Sequence, residues 1–496
     1  MNYSRMQADV LVLGAGLAGM RAAWAAAQAG PGLSVVLVSA QAGPSGSSFA
    51  NPNNMLGMQV PRTDQETESL VREVQDLARP GRVDPRLVDI LAREARDRYE
   101  DLRGLGLRFK GDGQGVVQRQ AGCFCPDQAG AVIFTHLAQA HAAFSARVQD
   151  LGVRQLPGLR VRELVPGRGN GVSVAGAWLE SRSDRSLVLA RAKAVVLALG
   201  GPAPLFSFNL CRGQGQAWGD SYAILEAAGA RLINAGYLQF LWGETVSGAF
   251  WSLDELGRAG VLVRTPDGRS RKVRDLLDKT EFERLASLAE ARRQHCPAAY
   301  DRPDADLDRF AAGLLDSRGV LKVRDPEGVW RAVAPLAHAG NGGARVDEWG
   351  RTGVDGLYAC GECASGMHGA NRVGGAMVLA TQVFGRRAGE EAARRAMGRA
   401  LPLVGRVWPE SVLGERGRED AGDFLRLAWL KENMQRHAVL GGRPGLSGFH
   451  ARLAEIQGLG GPDFDLALRS ARAVTSALVQ EAARPARTCS SITAAA

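Results

Sequence analysis

The chain has 496 residues, 45% of them hydrophobic and 23% charged. That is ordinary globular composition, and it excludes wholesale disorder, a collagen and a disulfide-stapled miniprotein. No apolar run reaches the roughly 18 residues of a membrane span. The first apolar stretch, Val10 to Leu13, runs into glycines and does not read as a secretory signal. A cytoplasmic protein without direct membrane insertion is expected. The net charge of +9 is carried by arginine, because lysine supplies six of the 61 basic residues. These arginines are scattered among acids, with no basic tract or aromatic ladder, which argues against nucleic acid. A positive field still suits a small anionic substrate. Seven cysteines, an odd and sparse set, fit a reducing compartment.

Asp9-Val-Leu-Val-Leu13 reads as a buried parallel strand. Gly14-Ala-Gly-Leu-Ala-Gly19 follows at once, then an Ala-rich helix over Met20–Ala29, a stop at Gly30-Pro31-Gly32 and a second strand over Ser34–Ser39. This is a complete βαβ unit. In it Gly14 permits the tight turn, Gly16 lets the backbone approach a pyrophosphate, and Gly19 lets the helix pack on the strand. The helix N-terminus then offers free N–H groups to phosphate. The second strand closes on Ser39 rather than on an acid for a ribose, which argues against a simple nicotinamide enzyme.

Glu66 to Leu105 is helical in pattern, broken at Pro80-Gly81, and Val153 to Ala190 reads as short strands. Ala194–Leu199 is a further buried strand, closed by Gly200-Gly201-Pro202. Residues 254–331 are highly charged, with amphipathic stretches, and read as an insertion. Gly356-Leu-Tyr-Ala-Cys-Gly-Glu362 is an apolar strand ending on a single acid, whose two oxygens suit sugar or ribityl hydroxyls. Ala376–Met397 is a helix, residues 418–486 are mainly helical, and Arg487–Ala496 reads as a mobile tail. Cys360 and Cys363 form a C-x-x-C inside the acid-bearing motif and read as bystanders, and no metal-ligating cluster is evident.

Ser365-Gly-Met-His-Gly-Ala-Asn-Arg-Val-Gly-Gly375 makes the pattern specific. With Gly356–Glu362, Phe384–Gly389, Ala198–Gly201, Gly219-Asp220, Gln239-Phe240 and Leu427–Met434, it resembles the flavoprotein family of succinate dehydrogenase, fumarate reductase and L-aspartate oxidase. The resemblance runs from about residue 8 to 470 and is weakest over 245–325. It implies a doubly wound α/β FAD-binding (Rossmann-like) domain from residues 1–240 and 332–400. An inserted α+β capping domain would span 241–331, and a C-terminal helical region 404–496.

By that resemblance FAD lies along Gly14, Gly16 and Gly19, with Ser39, Ser47, Ser48, Gly200 and Asp220 around it and Glu362 on the ribityl chain. Ala376 and Met377 would face the flavin with backbone N–H groups at a helix start. Covalent family members use a histidine shortly after the second strand. No histidine lies between residues 1 and 135, so non-covalent FAD is expected. Arg372 would grip a substrate carboxylate bidentately, helped by His338, while His368 would position its loop. In the cap, Arg274 would transfer the proton, with Arg264 and Arg269 as other candidates.

Three departures stand out. Leu241 replaces a carboxylate-binding histidine, Ala339-Gly-Asn341 replaces the residues after the second histidine, and Asn51-Pro-Asn-Asn54 alters a flavin-facing loop. The implied activity is hydride transfer between a small carboxylate and flavin N5. L-aspartate oxidase is the best-defined alternative, and a flavin-carrying electron-transfer subunit the other. An electron acceptor or donor is implied as partner, an iron–sulfur protein among the candidates.

Overall fold

The computed structural model describes residues 3–483 apart from 80, 112–115, 126–129, 169–170, 212–218, 259, 293–296 and 405–420. The tail expected over Arg487–Ala496 lies outside the described residues.

The first apolar run is the centre of the molecule. Strand Ser4–Leu13 pairs in parallel with Val35–Ser39 on one side and Leu187–Leu197 on the other, and Val10 to Leu13 are wholly buried. Arg154–Pro157 adds to the outer edge of Val35–Ser39. On its other edge strand Leu187–Leu197 serves two neighbours. Its C-terminal end pairs in parallel with Leu357–Ala359, and its N-terminal half carries Val174–Ser181 in antiparallel. Buried on both faces, the parallel strands are continuous Val/Leu/Ala runs rather than alternating ones. That is why the sequence shows them as short apolar blocks.

Helices Leu17–Ala29 and Ala376–Ala396 pack together on this sheet and join two segments far apart in the chain. The packing is close because Gly389 has no side chain: a Cβ there would sit 2.2 Å from the carbonyl oxygen of Ala22. The chain segments before and after the insertion are thus welded by backbone contact as well as by the sheet.

Strands Leu238–Glu244 and Trp330–Gly340 run outward as an antiparallel pair. With Leu321–Arg324, Leu262–Arg264 and Ser270–Lys272 they form a five-stranded antiparallel sheet. Helices Lys279–Arg292 and Ala305–Gly313 cover it over a separate core that includes Trp242, Leu285, Leu307 and Val333. Both long strands pass without a break through residues 240–241 and 331–332, so the insertion shares a sheet with its base. Helices Ala421–His437, Leu446–Glu455 and Pro462–Ala482 pack further along the same face of this strand pair, against Leu238, Phe240 and Ala337.

Candidate functional site

A cavity of about 660 Å³ runs from the Gly14–Gly16 turn and Ser39, past Ser45–Ser48, to His338, Glu362, Arg372 and the start of helix Ala376–Ala396. This volume suits a ligand of cofactor size.

At the first end the turn has to be glycine. Gly14 has φ +107°, and a Cβ on it would lie 2.3 Å from the carbonyl oxygen of Ala198. Gly19 does not line the cavity. A Cβ there would collide with the carbonyl oxygen of Gly14, so its role is to seat the helix on the turn. The Ser48 hydroxyl accepts from the Leu17 N–H at 3.5 Å, holding the serine loop against the helix start. Ser39 lines the cavity and donates its hydroxyl to the Gln41 carbonyl.

Beside them lies an ion-pair network that the sequence did not disclose. Asp220 pairs with Arg160 at 3.0 Å, and Asp463 pairs with Arg160 at 2.7 Å. Arg162 pairs with both Glu180 and Asp463. Burial works against the Arg162 charge, but Asp463 and Glu180 hold its pKa above the ordinary value. Asp463 stands in the first turn of helix Pro462–Ala482, so the C-terminal helical region supplies part of the cavity wall.

Glu362 sits on the short turn Gly361–Cys363 that follows strand Leu357–Ala359. One carboxylate oxygen accepts from the Gly340 N–H at 2.8 Å and the other from the Ser47 hydroxyl at 3.4 Å. Burial pushes its pKa up, and the hydrogen bonds act in the opposite direction. Cys360 and Cys363 flank it with buried thiols, both raised by burial, the second to about 12. Neither is an exposed thiolate of the kind exchange chemistry needs.

Arg372 is 5% exposed, and its guanidinium is held by two neutral carboxamides. Its Nε donates to Asn341 Oδ1 at 3.1 Å and one Nη to Gln239 Oε1, while the Gln239 amide donates back to the Arg372 carbonyl at 3.0 Å. Burial lowers the Arg372 pKa to about 10, with Glu362 acting in the other direction, so it is charged at neutral pH. In the sequence Gln239 stands out only as a motif match, and Asn341 only as a departure. Their shared role, buttressing a buried cation, needs three segments brought together.

His338 reaches the cavity through a β-bulge. The pairing steps from Gln239↔Ala339 to Phe240↔Ala337, which leaves His338 as the extra residue. Bulges re-aim a side chain in this way. Burial, and secondarily Arg372, push its pKa down to about 4, so the imidazole is neutral. Its Nδ1 is buried without a hydrogen-bond partner.

Other expected residues lie elsewhere. Arg274 follows the outermost cap strand, Ser270–Lys272, four strands from Leu238–Glu244. It is 64% exposed, beside Asp275 at 3.8 Å. Arg264 stacks over Trp330, and Arg269 neighbours Asp267; neither lines the cavity. The part of the insertion tied to the Arg372 loop is the segment around Tyr300, whose backbone N–H and carbonyl both bond the Asn371 carboxamide at 2.8 Å. Ala376 is buried, and its N–H is taken by the Val373 carbonyl at 3.1 Å, so Met377 and Val378 present the helix start to the cavity instead. His368 is buried behind the loop, its carbonyl accepting from Asn234.

A glycine turn with no room for a Cβ, a helix N-terminus, a buried acceptor pair on Glu362 and an unpartnered His338 nitrogen together fit a flavin dinucleotide. Gly200 and Ser47 lie on the same wall. The family model described as FAD binding domain matches residues 9–378. The chain belongs to this family and is an FAD-dependent oxidoreductase. Within it, the chain is a flavoprotein of the succinate dehydrogenase and fumarate reductase type. It is 30% identical over 436 residues to a fumarate reductase (CoM/CoB) subunit of Methanothermobacter marburgensis, covering 80% of this chain and 74% of that one. It is 32% identical over 403 residues to an L-aspartate oxidase of Halobacterium salinarum, covering 78% and 75%. Among solved structures, the apo Sdh1 complex of Mycobacterium smegmatis superposes with a TM-score of 0.68 at 23% identity over 97% of this chain and 87% of that one. No helix among the described residues is long and apolar enough to cross a membrane.

Proposed function

We propose that this flavoprotein binds FAD non-covalently and uses it on a small carboxylic acid held by Arg372. The observation that carries the reading is a buried, charged guanidinium at the cavity wall whose described partners are the neutral Asn341 and Gln239. Such a cation gains a partner when a carboxylate binds, and the two carboxamides fix its plane for a bidentate grip. FAD, when bound, supplies hydride transfer at N5.

The chain's own groups do the rest. Gly14, Gly16 and the helix start would hold the pyrophosphate, Asp220 and Ser39 the sugar end, and Glu362 with Ser47 the ribityl chain. The N-terminus of helix Ala376–Ala396, at Met377, would turn a positive dipole end toward negative charge developing on the flavin. Neutral His338 would donate a hydrogen bond to the carboxylate beside Arg372. Its low pKa removes it as a cationic carboxylate ligand at neutral pH. The cap, anchored through Tyr300 to Asn371, would exclude water.

Non-covalent attachment is supported by the serines of the Ser45–Ser48 loop and by His338 being the only histidine on the described cavity wall. Acid precipitation tests it: the yellow colour should stay in the supernatant, and colour in the pellet would contradict it. The resemblance to L-aspartate oxidases supports an amino acid as one substrate type. The relative named as a subunit supports an electron-transfer partner, and a cytoplasmic setting agrees with both. Arg372→Ala tests the clamp. Turnover of a small acid should fall by at least about a hundredfold with flavin retained, from loss of a charged bidentate pair. Unchanged turnover would remove the assignment.

A further inference from the structure

We infer that Tyr300, carried by the insertion, is a positioning residue for Arg372: it fixes from behind both the strand and the loop that aim the guanidinium. This role rests on the small-carboxylate reading above and adds to it a residue that does not itself line the cavity.

The segment 297–300 runs along the start of strand Leu238–Glu244. Pro297 forms an antiparallel bridge to Leu241, and the Ala298 N–H donates to the Phe240 carbonyl at 2.8 Å. Two residues on, the Tyr300 hydroxyl donates to the Leu238 carbonyl at 3.0 Å. These two bonds take the carbonyls on either side of Gln239. The backbone N–H and carbonyl of Tyr300 meanwhile clasp the Asn371 carboxamide, which also donates to the Leu77 carbonyl at 3.2 Å. Tyr300 thus touches the residue before Gln239 and the residue before Arg372. The bonds between Gln239 and Arg372 close a ring that runs from Tyr300 through Asn371, Arg372, Gln239 and Leu238 back to Tyr300. In such a ring each link restricts the next, which is what a side chain held for binding requires.

Tyr300 is itself anchored to the insertion. The Ala299 N–H donates to the Asp308 carboxylate at 3.2 Å, and that carboxylate also accepts from the Trp242 indole N–H at 2.9 Å and from Arg292 at 2.8 Å. The Tyr300 ring packs edge-on against Tyr237, with 5.4 Å between centroids. Burial pushes the Tyr300 pKa up, so the hydroxyl stays a protonated donor at neutral pH. Deleting that hydroxyl opens the ring at Leu238 and leaves the backbone clasp on Asn371 in place.

Tyr300→Phe makes that single change. The FAD-loaded protein is mixed anaerobically by stopped flow with succinate or L-aspartate when oxidised, and with fumarate when reduced by dithionite. The flavin band is followed over a range of acid concentration. For an acid that reacts, Tyr300→Phe should raise the half-saturating concentration about tenfold, from loss of one buried hydrogen bond behind the clamp. The limiting rate should change by less than about twofold, because Arg372 grips the bound acid and its transition state alike. Tyr237→Phe, which deletes the neighbouring hydroxyl bonded to Arg79, should leave both values as they are. In a Gln239→Leu background, where the ring is already open, Tyr300→Phe should add less than about twofold. A half-saturation unchanged in Tyr300→Phe, matched by Tyr237→Phe, or raised by the same factor without Gln239 would overturn the positioning role and leave the Arg372 site standing. No reaction of the wild type with any of these acids, while ferricyanide still oxidises the reduced flavin, would overturn the small-carboxylate reading and this inference with it.

Discussion

Asn341 accepts a hydrogen bond from the Nε of Arg372 at 3.1 Å, and its own amide donates to the Gly369 carbonyl at 2.9 Å. One carboxamide thus ties the end of strand Trp330–Gly340 to the loop that carries Arg372. A hydrogen bond to a charged group contributes about 1.5–3 kcal/mol. Asn341→Leu should therefore lower kcat/KM for a carboxylate roughly 10- to 100-fold while the flavin absorbance stays the same. Steady-state kinetics beside a visible spectrum checks both halves.

His338 offers a pH test. Burial holds its pKa near 4 in the folded protein, against about 6.5 in an unfolded chain. Between these values the unfolded chain binds the extra proton, so stability falls as pH drops through 6.5 and levels off near 4. The melting temperature should fall less between pH 7 and pH 5 in His338→Gln than in the wild type. The same imidazole should add no inflection to the kcat/KM profile between about pH 5 and 8, although an ordinary histidine titrates there.

Asp463 belongs to a region remote in sequence from the glycine turn, yet it pairs with Arg160 and Arg162 on the cavity wall. Removing one member of such a network leaves charge short of a partner. Asp463→Asn should raise the FAD dissociation constant about tenfold and lower the melting temperature, with the KM for the acid unchanged at saturating FAD. Flavin fluorescence titration measures the first, and thermal unfolding the second.

The weld between the chain segments before and after the insertion is tested at Gly389. A leucine there has to displace the Ala22 backbone, which a Cβ would approach within 2.2 Å. Overpacking of this kind costs about 1–3 kcal/mol. Gly389→Leu should lower the denaturant midpoint, whereas a leucine at the exposed Arg399 should not.

What the sequence showed and what it hid divide along physical lines. The Gly14–Gly19 turn, Glu362 and Arg372 were legible because each lies in a contiguous run whose residue types are dictated by local backbone geometry or by a single contact. The bulge at His338 was hidden, because it is a property of pairing with Leu238–Glu244 and not of either strand alone. The Gln239–Arg372–Asn341 clamp joins residues 133 and 31 positions apart, and Asp463 reaches Arg162 across 301. Arg274 was misplaced because a two-residue Arg-Asp match carries little information where the resemblance is weakest. In the structure it follows the far edge of the cap sheet. The charged composition of residues 254–331 marked the cap's surface, while the backbone pairing that joins it to its base begins earlier, at Leu238.

The most direct test of the central claim is the anaerobic visible spectrum of the purified, FAD-loaded protein and of Arg372→Ala, each in both redox states, with a panel of small mono- and dicarboxylic acids. The account predicts a flavin band in both proteins, and a change of that band on adding at least one acid in the wild type alone. A protein that takes up no flavin, or an Arg372→Ala variant that responds to the acid as fast as the wild type, would contradict it.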